Sequence, residues 1–207
     1  MALFKMFKDS AKEMKSLKNL AAISLLIAVA VVLKMFVSVQ ITQTLKISTA
    51  FVAGASIGML FGPVPAILAG IVADVLGVLV KGDAYMFGFT IPEAVGYLLY
   101  GMILYKMKPE KLEFKSAKEF FGSIRANLPT VFRIIGAKAA VNLVCNVIIN
   151  PIVLYAYGFL AKDAVRAAIE TRIIKNICAL PFESLLLIIV LPLIFYAYSL
   201  QNKRKYA

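Results

Sequence analysis

Apolar residues run through this 207-residue chain in blocks of about 20, separated by short polar or Gly/Pro-rich stretches. A block of that length crosses the ~30 Å hydrocarbon core of a bilayer as an α-helix. The blocks predict six spans, over residues 19–39, 49–61, 66–80, 91–107, 129–157 and 172–200. The second and third are short, and the second is rich in small residues (Ala50, Ala53, Gly54, Ala55, Gly58). Between them Gly62-Pro63-Val64-Pro65 predicts a tight turn, because proline fixes φ and breaks the helix ladder. Residues 40–48, 81–90 and 158–171 read as polar connectors, and 108–128, with Lys and Glu interleaved, as the main interior break. The expected fold class is an all-α integral membrane protein, a single-domain bundle of six transmembrane helices over 19–200. A basic amphipathic segment over 1–18 precedes the bundle and a basic tail over 201–207 follows it.

In residues 1–18, Lys5, Lys8, Lys12, Lys15 and Lys18 recur at helical spacing beside an apolar stripe of Phe4, Phe7, Ala11 and Met14. That pattern predicts a helix lying on the membrane surface, with membrane lipid as its partner. Six spans put both termini on one side. Fourteen of the 23 basic residues then share that side: these five, six between Lys106 and Arg125, and three in Lys203-Arg204-Lys205. Short loops rich in Lys and Arg stay cytoplasmic, so both termini are expected inside.

Composition narrows the function. The chain is 61% hydrophobic and 16% charged, against ~45–50% and ~25% in soluble proteins, which excludes an ordinary soluble domain. A net charge of +12 would suggest nucleic acid in a soluble protein. Here orientation accounts for most of it, and no nucleic-acid partner is expected. The absence of histidine excludes a Ser-His-Asp triad, an H-E-x-x-H site and histidine-ligated zinc. No G-x-x-x-x-G-K-[ST] loop is present, so this chain is not expected to hydrolyse ATP. No catalytic residue, metal or cofactor is expected. Cys145 and Cys178 lie in apolar stretches and read as buried inert thiols, with a disulfide left open.

Nine basic residues are not explained by orientation: Lys34, Lys46, Lys81, Arg133, Lys138, Lys162, Arg166, Arg172 and Lys175. A charge inside a span costs at least ~2.5–3.5 kcal/mol, so it normally faces a partner or a wet cavity. In the fifth span Lys138, Asn142, Asn146 and Asn150 recur in fours, a polar stripe about 18 Å deep at the rise of a helix. Two readings stand for it: a cavity wall, or helix–helix hydrogen bonding worth only ~0.6 kcal/mol per contact. In the sixth span Arg172, Asn176 and Glu183 fall near one face, with Lys175 beside them. Asp74 and Glu183 read as counter-ions for Lys138 or Lys175. The segment from Lys81 to Thr90 interleaves Gly82 and Gly88 with Tyr85, Phe87 and Phe89. Glycine allows hinge motion and aromatics stack on planar rings, although Tyr85 equally suits the bilayer interface. Gln40, Thr42, Gln43, Thr44 and Lys46 could cover the same mouth. Together they describe an outward-opening pocket, cationic at its rim, amide-lined on one wall and aromatic at its edge. The expected ligand is a planar polar ring system carrying carboxylate.

The run Leu60-Phe61-Gly62-Pro63, then Gly70-x-x-x-Asp74-x-x-Gly77, Phe87-Gly88-Phe89-Thr90 and Gly96-x-x-x-Tyr100-Gly101, resembles the S component of energy-coupling factor (ECF) vitamin transporters. Arg172-Ile173-Ile174-Lys175-Asn176, closed by Pro181, together with the fifth span from Val141-Asn142 to Asn150-Pro151, is similar to the folate-specific branch. The resemblance covers roughly residues 20–200. It implies a multi-pass protein of the bacterial plasma membrane with a folate pocket open to the outside. It also implies docking on a transmembrane coupling subunit, EcfT, that carries two ATPase subunits, and delivery of substrate by toppling. The family's small-residue docking pattern on the first helix falls here on Ser24-x-x-x-Ala28, with Ala21 a turn before, and Lys34 stands where many members place arginine. By the resemblance Asn142 and Asn146 hold the pterin edge, and Arg172 and Lys175 meet the glutamate carboxylates. Lys138 belongs to the same pocket, Lys34 is a third cation, and Phe87 and Phe89 stack on or close over the ring. The competing readings are an S component for pantothenate, riboflavin or a pyrimidine precursor, a membrane-embedded lipid-modifying enzyme, and a ligand-free packing scaffold.

Overall fold

The computed structural model describes residues 2–42, 45–110 and 117–203. Gln43, Thr44, Lys111, Lys115, Arg204 and Lys205, named above, lie outside the described residues, as do the side chains of Gln40, Thr42, Lys46, Lys118 and Lys203. The elements are α1 (Ala2–Glu13), α2 (Leu17–Phe36), β1 (Ser38–Thr42), β2 (Leu45–Ser48), α3 (Phe51–Phe61), α4 (Pro63–Lys81), α5 (Phe87–Leu104) and α6 (Ala117–Ala126). They continue with α7 (Leu128–Val141), a π-helical segment (Asn142–Ile149), α8 (Asn150–Ala156) and α9 (Ala164–Lys203). Five helical stretches are long and apolar enough to cross a membrane: α2, α4, α5, the continuous unit Leu128–Ala156, and α9.

The second apolar block forms only the 11-residue α3. At ~1.5 Å per residue such a helix is about 16 Å long, half of a bilayer core. Nine of its residues are buried, so neighbouring helices rather than lipid surround it. Burial within protein is the condition under which short or broken helices are tolerated at membrane depth.

The expected four-residue turn contracts to a single break. Gly62 takes φ +85°, a region glycine enters without steric cost, and Pro63 opens α4 at the first helical position. The third span therefore begins three residues early and reaches 19 residues. A Cβ on Gly101 of α5 would lie 2.5 Å from the Cα of Pro63, so α5 crosses this corner at backbone contact.

The connector expected over 40–48 is a hairpin, with Ser38 opposite Ser48 and Val39 opposite Ile47. Its sequence alternates Val39, Ile41, Leu45 and Ile47 with polar residues, the period-two signature of a strand. Two polar stretches are also partly helical: α6 lies within 108–128, and α9 starts at Ala164 rather than Arg172. Arg166 bonds Glu170 one turn on, at 3.0 Å, and supports that early turn.

The main core joins α3, α5, α7 and α9 through Met59, Tyr100, Leu104, Ile134, Leu187 and Leu191. At one end of the bundle α1 acts as a strut. Its buried Ser10 hydroxyl donates to the Phe61 carbonyl at 2.8 Å and accepts from the Val64 amide at 3.0 Å, bridging the α3–α4 break. Lys106, just past α5, donates to Asp9 at 2.9 Å, and Tyr198 of α9 donates to Asn19 at 2.7 Å. These contacts gather both ends of the described chain at one end of the bundle. Lys5, Lys8, Lys12 and Lys15 stay exposed there, with Phe4 beside them.

Candidate functional site

A cavity of about 530 Å³ lies among α2, α4, α5, the α7–π–α8 unit and α9. It reaches Ser48, Lys81, Asp83 and Phe159 at the end of the bundle away from the termini. Its volume falls within the ~300–1,000 Å³ of small-molecule sites.

One wall is built from the polar stripe. On an α-helix of 3.6 residues per turn, residues four apart drift by about 40° per step. The π-helical segment from Asn142 to Ile149 takes more residues per turn, which reverses that drift and keeps the asparagines in line. Asn150 Nδ2 donates to Asn146 Oδ1 at 3.4 Å, and Asn146 Nδ2 to Asn142 Oδ1 at 3.1 Å. Asn142 Nδ2 donates to Glu183 Oε2 at 2.9 Å, which also pairs with Lys138 Nζ at 3.3 Å. Asn146 bonds Asn176 Oδ1 at 3.2 Å, and Arg172 donates to the Asn146 carbonyl at 3.4 Å. Both sequence readings of the stripe thus hold at once: it lines the cavity and it ties α7–π–α8 to α9. Lys138 Nζ also lies 3.7 Å from the centre of the Phe51 ring, a cation–π contact from α3.

The opposite wall carries a second charged cluster. Lys34 Nζ sits 3.1 Å from both Asp74 Oδ1 and Glu93 Oε1. Thr90 donates to the other Asp74 oxygen at 2.8 Å and bonds the Tyr85 hydroxyl at 2.8 Å. Glu183 is the counter-ion of Lys138 as the sequence suggests. Asp74 is not: its place on α4 gives it to Lys34 on the neighbouring α2. At the mouth Phe89 stacks on Tyr157 at 5.8 Å between ring centres and adjoins Phe159 at 6.3 Å. The Tyr157 hydroxyl accepts from the Gly88 amide at 3.0 Å, tying α8 to the start of α5.

Of the residues singled out from sequence, Lys34, Phe89, Lys138, Asn146, Arg172 and Lys175 line the cavity. Asn142 lies behind that surface, buried and held by Glu183, while Phe87 is exposed outside it. Ala21, Ser24 and Ala28 are exposed on α2, away from the bundle interior. Arg133 serves another purpose: it donates to the carbonyls of Ile103 and Tyr105, capping the end of α5. Lys162 and Arg166 are exposed surface cations. Both cysteines are free. Cys145 is buried as expected, but Cys178 is exposed on α9, because it falls on the face opposite Asn176 rather than in the core. Sequence reasoning gave no site role to Glu93, Phe51, Tyr97 or Tyr100. The spacing of Glu93, Tyr97 and Tyr100 at i, i+4 and i+7 on one helix carried that signal.

The bundle combines five helical stretches long and apolar enough to cross a membrane with a charged, ligand-sized cavity. The chain belongs to the family of ECF transporter substrate-specific components, whose sequence profile matches residues 18–191. It is 28% identical over 176 residues to the folate transporter FolT of Clostridium novyi (strain NT), spanning 84% of this chain and 88% of that one. A crystal structure of FolT bound with folic acid shares the fold, with a TM-score of 0.65 and 29% identity over 83% of this chain and 91% of that one. The family resemblance drawn from sequence therefore holds, and it places the chain in a transporter rather than among enzymes.

Proposed function

We propose that this chain is the folate-binding S component of an ECF vitamin transporter, resident in the bacterial plasma membrane. The observation that carries the reading is the cationic wall. Arg172 and Lys175 line the cavity beside the asparagine ladder, and among the described residues no carboxylate lies within ion-pair distance of Lys175. A cation placed inside a bundle as Lys175 is, without a paired carboxylate, calls for an anionic ligand. The FolT relatives supply its identity.

In this reading α2, α4, α5, α7–π–α8 and α9 each cross the membrane, the short α3 makes the sixth passage together with the segment before it, and both termini are cytoplasmic, so the mouth near Lys81 faces outside. Arg172 and Lys175 take the glutamate carboxylates, Asn146 lines the wall beside them, and Phe89 closes over the ligand. The exposed Ala21, Ser24 and Ala28 let α2 approach the coupling subunit EcfT closely, since small residues permit helix contact in membranes. Two ATPase subunits on that partner supply the energy, and the S component delivers folate by toppling. Mass spectrometry of the ligand retained by protein purified from rich medium tests the reading: a folate is expected, and pantothenate or riboflavin in its place would refute it.

A further inference from the structure

We infer that the cavity reads its ligand with opposite charge at two ends, the Glu93 carboxylate taking the N–H edge of a 2-amino-4-oxo heterocycle while Lys175 and Arg172 take the carboxylates. This rests on the folate reading above. The charges lining the cavity divide by wall. On α7 and α9, Lys138, Arg172 and Lys175 face one carboxylate, Glu183. On α2, α4 and α5, Asp74 and Glu93 face one cation, Lys34. Lys81 and Asp83 offset each other at the rim.

Within the acidic wall the acceptors are unequally occupied. Asp74 uses one oxygen on Lys34 and the other on Thr90. Glu93 uses Oε1 on Lys34, and its other oxygen has no partner among the described residues. A carboxylate in a cavity wall with an oxygen that the protein leaves unused favours a ligand that brings N–H donors. A pterin's ring N–H and adjacent amino group form two parallel donors, the pattern a carboxylate accepts in a fork. The asparagines suit that role less. Asn142 Oδ1 accepts from Asn146, Asn146 Oδ1 from Asn150 and Asn176 Oδ1 from Asn146, so these three oxygens already hold an N–H within the protein. Lys34 and Asp74 are then positioning residues that aim Glu93 across the cavity.

The test is a panel of titrations on the purified full chain and two variants, Glu93→Gln and Lys175→Gln. The ligands are folic acid, 6-hydroxymethylpterin, p-aminobenzoylglutamate and a folic acid analogue with methyl in place of the 2-amino group. Glu93→Gln should weaken folic acid and the pterin by about tenfold or more, the scale of one lost charge-assisted hydrogen bond, and leave p-aminobenzoylglutamate within about twofold. Lys175→Gln should weaken folic acid and p-aminobenzoylglutamate on the same scale and leave the pterin within about twofold. The unaltered protein should bind the 2-methyl analogue about tenfold more weakly than folic acid. That comparison decides the matter should Glu93→Gln lose both fragments through misfolding. Tight folic acid binding with equal affinity for the 2-methyl analogue, or a Glu93→Gln effect confined to p-aminobenzoylglutamate, overturns this inference and leaves the folate reading standing. No binding of folic acid by the unaltered protein overturns the folate reading, and this inference with it.

Discussion

Replacing Glu183 with alanine strands the Lys138 ammonium inside the bundle. The pair is separated by 3.3 Å, with only 4% and 10% of the two side chains exposed. At an effective dielectric of about 20, Coulomb attraction at that distance is about 5 kcal/mol. The variant also leaves the Asn142 amide without its acceptor, worth about 1–3 kcal/mol. The Phe51 ring, 3.7 Å away, retains about 2 kcal/mol of attraction for the ammonium. The balance agrees with the ~3–5 kcal/mol typical of removing one partner of a buried pair. At about 2–4 °C per kcal/mol for a chain of this size, the ligand-free protein should lose on the order of 10 °C in thermal unfolding in detergent. The double variant Lys138→Met, Glu183→Leu should recover most of that loss, because apolar residues of similar volume replace both charges. A Glu183→Ala shift under about 2 °C, or a double variant as unstable as the single, would refute the assignment of this pair as mutually dependent.

Tyr100 is almost wholly buried and its hydroxyl has no hydrogen-bond partner among the described residues, so Tyr100→Phe should be neutral or raise the melting temperature by a few degrees. Differential scanning fluorimetry would show it, and a marked fall would mean the hydroxyl is engaged. Gly101→Ala should disrupt the bundle by more than the ~1–3 kcal/mol of ordinary overpacking, because the new methyl meets backbone at 2.5 Å; monodisperse elution of this variant at unchanged stability would contradict the corner geometry. The Lys106 hydrogen bond holds the Asp9 carboxyl below its ordinary value. A carboxyl depressed in the folded state contributes stability above its unfolded value and loses it as pH falls through the folded one. Acid melts of Asp9→Asn should therefore lack the small loss of stability that the parent shows below the ordinary aspartate range.

The long spans and the polar stripe were legible because their signals are local and periodic. Lys138, Asn142, Asn146 and Asn150 announce one helix face whatever packs on it. The π-helical segment that aligns them left no mark in composition, since Asn142 to Ile149 is an ordinary apolar run apart from its asparagines. Partner choice was harder to read. Asp74 went to Lys34 rather than to Lys138 because α2 and α4 pack together, a fact set by tertiary contact across 40 residues of chain. The hairpin at 38–48 was visible as alternation but masked by its polar residues, which also suit a loop. Arg133 looked like an unexplained membrane cation until the end of α5 arrived beside it. Sequence periodicity places side chains on faces, and only packing decides which faces meet.

Isothermal titration of folic acid into the ligand-free protein, in detergent or lipid nanodiscs, tests the central claim most directly. One folate per chain should bind tightly, with affinity falling about tenfold or more in Arg172→Ala and Lys175→Ala, as the loss of a charged contact requires. Absence of folate heat from protein that binds pantothenate or riboflavin, or folate binding indifferent to both substitutions, would contradict it.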